Sequence, residues 1–247
     1  PYDLFSLEEA LRLKDRFGGR VTVLCMGPPM AEAALRKCLA YGADEAVLVT
    51  DRAFAGSDTL ATSFALASAI RQIQKDMAVD LVFAGKQTID GDTAQVGPGI
   101  AKRMDLQLLT YVSRIVEVDP VARSITVERR AEGGVQVLRT ALPCLVTMLE
   151  NSNELRFATL PSMIHAAAYP VRKWDKVAAG IEDLDKIGLK GSPTVVSKVF
   201  GPTQRTDKAE MLSADTAEPR DIALNLVQMI FTRQPVLERE LLSGAAA

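Results

Sequence analysis

The sequence predicts an α/β protein in which an open, mostly parallel sheet is flanked by helices and followed by an antiparallel meander and a C-terminal arm. Three observations carry this. Short apolar runs at 21–25, 45–50 and 80–84, each of the length of a buried strand, alternate with stretches of helical periodicity, as when parallel strands are joined by crossover helices. Between residues 109 and 140 the apolar positions alternate instead, around the turn residues Asp119-Pro120 and Gly133-Gly134, as in antiparallel strands. After Ala168 the periodicity fades among prolines and glycines, as in an extended arm. The boundaries expected are 1–163 for the α/β domain, 164–215 for the arm and 216–247 for a terminal helix and tail.

Taken in order, Ser6-Leu7-Glu8-Glu9 reads as a capping box opening the first helix, with Gly18-Gly19 as its stop. Residues 21–25 form a strand that Met26-Gly27-Pro28-Pro29 turns into an alanine-rich helix, and Gly42 ends that helix before the strand at 45–50. A long polar loop follows, and Ser57 or Asp58 caps a helix whose apolar stripe is Leu60, Phe64, Ala67 and Ile70. The meander has strands at 109–118, 124–130 and 135–140, and 141–149 returns as a buried strand with Cys144 as a small core residue. Leu160-Pro161-Ser162-Met163-Ile164 places large apolar side chains in a surface segment, which reads either as a docking site or as a staple for the arm. Residues 217–231 form an amphipathic helix, and 241–247 a frayed end.

Composition narrows the function classes. At 48% apolar and 24% charged residues, the chain of 247 residues is an ordinary globular protein, long enough for one large α/β domain with appendages or for two small domains. A net charge of −2 argues against nucleic-acid binding, because no basic excess exists to neutralise phosphates. Cys25, Cys38 and Cys144 are widely spaced, and His165 is the only histidine, which leaves no zinc or iron–sulfur ligand set. The scattered thiols suit a cytoplasmic protein, and no apolar run approaches the roughly 20 residues of a membrane span.

The most informative stretch is DLVFAGKQTIDGDTAQVGP, residues 80–98, where a buried strand runs through a glycine-bearing loop into a helix start. In open α/β sheets ligands bind beyond the carboxyl ends of the strands. Gly85, Gly91 and Gly97 allow close backbone approach, Lys86 supplies a cation, and Gln87, Asp92, Thr93 and Gln95 supply donors and acceptors for a nucleotide. Asp92 is positioned to cap the helix while Gln95 reaches back, and the free amides of that first turn favour a phosphate. Asp90 and Asp92 would repel a phosphate lying directly against them. One carboxylate is therefore expected at a cap or a ribose hydroxyl, with the phosphate on backbone amides and the Thr93 hydroxyl. The loop carries no Walker or Rossmann fingerprint, and the alternative is a polar βα loop with an ordinary cap.

Several separated motifs resemble the β subunit of electron transfer flavoproteins: GKQTIDGDTAQVGP at 85–98, Phe157-Ala158-Thr159-Leu160-Pro161, and Ala40-Tyr41-Gly42-Ala43-Asp44. The resemblance covers essentially the whole chain and is weakest after about Val195. The forms AGSDTLATS at 55–63 and DGDTAQVGP resemble the flavin-bifurcating branch, whose β subunit holds a second FAD where simple carriers hold AMP.

The resemblance implies a Rossmann-like nucleotide-binding fold, with a first strand and a cofactor-facing loop preceding the helix that opens this chain. It implies that Cys25, Met26 and Gly27 contact the cofactor. It also implies that Ser57, Asp58, Thr59 and Thr62, together with Gly85, Lys86, Gln87, Asp92, Thr93, Ala94, Gln95 and Gly97, hold a nucleotide. Leu160, Pro161, Met163 and Ile164 would dock a partner dehydrogenase, and the arm, with Trp174 and Ile181 as anchors, would contact an α subunit carrying the other FAD. In the bifurcating branch NADH is the donor, and ferredoxin and the dehydrogenase are the acceptors. No residue is expected to act as catalytic acid, base or nucleophile, because the cofactor carries the electrons. Two alternatives stay open at this point: a simple carrier with structural AMP, and a flavin-free nucleotide sensor domain.

Overall fold

The computed structural model describes residues 1–201, 206, 209, 211–212 and 218–244, the side chains of 238 and 242–244 excepted. Parts of the expected arm and of the terminal tail lie outside the described residues. Residues 1–197 and 198–247 form two separate units.

In the first unit the parallel strands are divided between two sheets. β1 (Thr22–Met26), β2 (Glu45–Val49) and β8 (Arg172–Trp174) form a parallel sheet in the order β1-β2-β8. β3 (Leu81–Gly85), β4 (Gln107–Asp119), β5 (Ser124–Ala131), β6 (Gly134–Ala141) and β7 (Cys144–Met148) form the second, in the order β3-β7-β4-β5-β6. It is parallel through β3, β7 and β4, and antiparallel through the meander β4-β5-β6. β7 is buried along its whole length, as its apolar run requires. β3 is only half-buried, because among the described residues it pairs on one side alone. β1 is half-buried for the same reason, and Leu24 of β1 and Val82 of β3 pack against one shared cluster that joins the two sheets.

Helices cover the sheets in two groups. α1 (Tyr2–Phe17), α2 (Glu32–Tyr41) and α5 (Leu160–Ala168) bring Leu7, Leu11, Leu35, Leu39 and Ala166 onto Ala46 and Leu48. Each fully buried leucine there contributes roughly 1.5–3 kcal/mol. α3 (Thr59–Asp76) and α4 (Val96–Met104) bring Ala67, Ile70, Ile100 and Ala101 onto Leu145, while Ala65 and Ala69 meet Val47 and Val49. A Cβ on Gly99 would stand 2.7 Å from the Ser63 side chain, so this glycine lets α3 and α4 approach closely. Gly42 ends α2 at φ +122°, where a side chain would be strained.

Three local expectations are corrected. The first helix starts at Tyr2, not at a Ser6 cap; Ser6 and Glu9 lie inside it, and among the described residues the buried Ser6 hydroxyl has no hydrogen-bond partner. The apolar face of α1 already begins at Leu4, which decides the register. Leu60 is not core but 49% exposed, because the small residues Ala61, Ala65 and Ala69 face inward and let α3 sit close to the sheet. Trp174 and Ile181 are not free anchors: Trp174 pairs with Val49 through β8, and Ile181 is buried beside Ala179 and Ile187 against β2.

In the second unit, α6 (Pro219–Arg233) and α7 (Pro235–Gly244) pack on each other, and Leu224, Leu226, Val227 and Ile230 of α6 remain exposed. Among the described residues no helix is long and apolar enough to cross a membrane.

Candidate functional site

The carboxyl ends of β1 and β3 and the start of α3 gather most of the residues expected to bind a nucleotide. β3 ends at Gly85, whose N–H donates to Asp3 Oδ1 at 2.8 Å. The first turn of α1 lies so close that a Cβ on Gly85 would be 2.6 Å from Tyr2 Cβ and 2.7 Å from the Asp3 nitrogen. The Lys86 N–H extends the ladder to the Met148 carbonyl at 2.9 Å, and its ammonium sits over two rings, 5.6 Å from Tyr2 and 5.7 Å from Tyr111. Tyr111 is held at φ +57° where the β4–β7 register shifts between Leu109 and Val112, and its N–H donates to Thr147 Oγ1. A bulky residue in the left-handed region is costly, and such strain concentrates at functional sites.

The loop that follows is internally tied. Gln87 Nε2 donates to Asp92 Oδ1 at 2.6 Å, and the Asp92 N–H donates to the Thr88 carbonyl. Asp90 accepts from the Gly91 N–H at 2.9 Å. A hydrogen bond from the Thr88 side chain, then those from its own and the Gly91 backbone N–H, hold the Asp90 carboxyl below its ordinary range. The expected Asp92 cap is corrected here: α4 begins at Val96 with Gln95 as N-cap, and no side chain caps it. Asp92 and Ala94 instead take φ +49° and +54°, and Gln95 returns to the right-handed region. Alternating handedness of this kind turns successive amides to one side, and the uncapped helix start adds its own. Asp92, Thr93 and Gln95 are exposed, whereas Gly97 is buried where a Cβ would meet Thr147 Cγ2 at 2.9 Å, so its small size serves helix–sheet packing.

The second loop reaches the first through a hydrogen bond from Thr59 Oγ1 to Gln95 Oε1 at 2.8 Å. Asp58 caps α3 by accepting from the Leu60 and Ala61 N–H groups. Burial pushes its pKa up, but these bonds and those from Thr194 outweigh that and hold the carboxyl low. The other Asp58 oxygen and the Ser57 hydroxyl face the same stretch of this chain: Ser57 Oγ accepts from the Gly188 N–H at 3.0 Å, and Asp58 Oδ2 from Thr194 Oγ1 at 2.9 Å. Thr62 is half-buried in the first turns of α3. At the end of β1, Cys25 packs toward α1 and α2 while Met26 packs toward Phe54. The Gly27 N–H is bonded to the Val49 carbonyl at 3.1 Å.

Sequence reasoning missed Tyr2, Asp3 and Tyr111. Tyr111 reads as one more apolar position in an alternating strand, and nothing local marks its backbone. Asp3 and Tyr2 precede the helix start expected from Ser6.

The segment expected to dock a partner forms a separate surface. Thr159 and Ser162 make a capping box that starts α5, and Leu160, Met163 and Ile164 are 70%, 52% and 63% exposed. Phe157, just before the helix, is 95% exposed and extends the patch. Arg36 fixes the far end of α5 by donating to the carbonyls of Ala166, Ala167 and Tyr169.

Comparison with known proteins now decides the family. The model of the electron transfer flavoprotein domain matches residues 1–179. The chain belongs to the electron transfer flavoprotein family. It is 64% identical over 245 residues to Protein FixA of Azotobacter vinelandii, covering 99% of this chain and 87% of that one. It is 59% identical over 244 residues to Protein FixA of Sinorhizobium fredii, covering 98% and 86%. It is 42% identical over 238 residues to the electron transfer flavoprotein subunit beta of Thermoanaerobacterium thermosaccharolyticum, covering 96% and 86%. Within the electron transfer flavoprotein family it is therefore a β-type subunit. β subunits of this family pair with an α subunit, and the family binds flavin or AMP.

Proposed function

We propose that this electron transfer flavoprotein β subunit binds FAD and, with its α subunit, bifurcates electrons from NADH to ferredoxin and a partner dehydrogenase in the cytoplasm. The observation that carries the reading is the Thr59–Gln95 hydrogen bond. It joins AGSDTLATS and DGDTAQVGP, the two stretches that resemble the bifurcating branch, between the starts of α3 and α4.

The donor set fits the phosphates and ribose of a dinucleotide. Backbone amides at 94–97, unopposed by a side-chain cap, suit a phosphate, with the Thr93 hydroxyl as a further donor. Lys86, held between Tyr2 and Tyr111, is a positioned cation. Asp92, oriented by Gln87, suits a ribose hydroxyl. Gly85, Gln87, Ala94, Gln95 and Gly97 contribute backbone approach and shape. Cys25, Met26 and Gly27 border the site from β1, and Ser57, Asp58, Thr59 and Thr62 from α3. Bound FAD would supply both hydride acceptance and single-electron transfer, while the chain's residues bind it, orient it and keep water away. Leu160, Pro161, Met163 and Ile164 dock the dehydrogenase through an apolar patch on α5. The arm beyond the α/β domain and the exposed face of α6 contact the α subunit.

Nucleotide content tests the reading. The complex of this subunit at the length of its relatives with its α subunit is denatured, and FAD and AMP are counted by chromatography. Two FAD per heterodimer is the expected result. One FAD with one AMP would make this a simple carrier and overturn bifurcation. Asp92→Ala combined with Thr93→Ala is expected to lower occupancy of the β site while leaving the α-subunit flavin in place, and unchanged occupancy would sink the site assignment.

A further inference from the structure

Outside the nucleotide edge, α3, the end of α4 and residues 185–193 enclose an open groove of about 690 Å³. Its floor is apolar: Leu60 and Phe64 lie one helical turn apart on the outward side of α3. Its walls are cationic. The Arg103 guanidinium lies 5.8 Å from the centre of the Phe64 ring and the Lys186 ammonium 5.6 Å, so the ring is contacted by two cations. Arg103 Nη2 donates to the Leu60 carbonyl at 2.9 Å, and Arg71 Nη2 donates to the Arg103 carbonyl. These bonds hold the Arg103 guanidinium at the first turn of α3 and the Arg71 guanidinium at the end of α4 before any partner arrives.

Charge balance inside the groove is incomplete. Lys186 pairs with Asp183 at 3.1 Å and Lys190 with Asp185 at 3.3 Å. Among the described residues neither Arg71 nor Arg103 forms an ion pair with a carboxylate. Two guanidiniums without an ion partner, beside the exposed Leu60 and the half-buried Phe64, complement carboxylates flanking an apolar side chain. The groove is open to solvent, which suits a polypeptide segment better than an enclosed small molecule.

We infer that this groove seats an acidic segment of the α subunit, with an apolar side chain on Leu60 and Phe64 and carboxylates on Arg71 and Arg103. The inference rests on the family's α/β pairing. Two observations favour that partner over a dehydrogenase. The groove belongs to the α3–α4 helix group, whereas the exposed α5 patch belongs to the group with α1 and α2, so a segment seated here leaves α5 uncovered. Residues 185–193, which form one wall, directly precede the end of the first unit at 197, so the wall is continuous with the stretch proposed to contact the α subunit.

The test uses the full-length subunit and its α partner. Affinity is measured by titration at two salt concentrations for the wild type and for Arg71→Glu combined with Arg103→Glu, with thermal melting as the folding check. The milder pair Arg71→Gln and Arg103→Gln serves if the first variant melts early. A photoreactive side chain at position 60 provides a second readout. The expected results are at least a tenfold weaker complex for the charge reversal, a shallower salt dependence for both variants, and a crosslink to an acidic α-subunit peptide. A wild-type complex forming without that crosslink, with affinities within twofold for a folded variant, would overturn the groove assignment alone. Failure of the wild-type chains to associate would overturn the pairing and the groove together.

Discussion

Arg156 clasps Glu8: its Nε lies 2.9 Å from Glu8 Oε2, its Nη2 3.2 Å from Oε1, and its backbone N–H donates to Oε2 at 3.1 Å. Arg12 adds a further bond to Oε1 at 3.0 Å. The Glu8 side chain is only 6% exposed, so its charge depends on these partners. Through this pair the segment leading into α5 is fastened to α1, and the first turn of α1 is in turn fastened to Gly85 through Asp3. One helix therefore supports both the exposed α5 patch and the loop that follows β3.

Glu8→Ala should destabilise the fold by about 2–3 kcal/mol, less than the ~3–5 of a fully buried pair because Arg156 keeps partial exposure. The pH dependence has a definite sign. Burial pushes the Glu8 pKa up, but the bonds from Arg156 and Arg12 outweigh it and leave the folded value below the ordinary one. Its contribution is then fully present above the unfolded value and is lost as pH falls through the folded one. Urea unfolding between about pH 5 and about pH 3 should show a stability loss that is smaller in Glu8→Gln; equal slopes would refute the coupling.

Gly85→Ala should dislodge the first turn of α1, because the new Cβ would meet Tyr2 and Asp3 backbone atoms within 2.8 Å. Overpacking of this kind costs about 1–3 kcal/mol. Hydrogen exchange should rise in residues 2–5 together with the 85–95 loop, and a change confined to one of the two would contradict their linkage.

Leu160→Asp or Ile164→Asp should weaken binding of a partner dehydrogenase about tenfold or more, since exposed apolar anchors dominate such contacts. Nucleotide content and α-subunit pairing should stay unchanged in the same samples. Loss of pairing would show that α5 belongs to the heterodimer instead.

Thiol chemistry offers a check on packing. Burial, with a smaller contribution from Asp3, pushes the Cys38 thiol up to about 11, and burial alone pushes Cys144 up to about 11. Burial also raises Cys25, helped by Asp3. A disulfide reagent at about pH 8 should therefore react slowly with native protein and fully with unfolded protein. Rapid modification of Cys144 in the native state would contradict its buried place in β7.

The sequence by itself determined the features that local chemistry governs. Apolar runs marked β2, β3 and β7, alternation marked β4 to β6, Gly42 marked the end of α2, and Ser57 or Asp58 marked the cap of α3, which the structure gives to Asp58. Each depends on residues within a turn or a strand length, so short-range pattern suffices. The motifs that place the chain in its family were legible for the same reason. Tertiary structure decided what those residues face. Ser57 and Asp58 carry side chains suited to a ligand, yet both also bond residues 188–194, which no nearby residue announces. Asp92 has the composition of a helix cap, but Gln87 competes for its carboxylate and the loop takes left-handed turns before α4 begins. Lys86 acquires its two aromatic neighbours from α1 and β4, which only the packed sheet brings together. Such partners are chosen by the free energy of the whole fold, and a one-dimensional pattern holds no record of that competition.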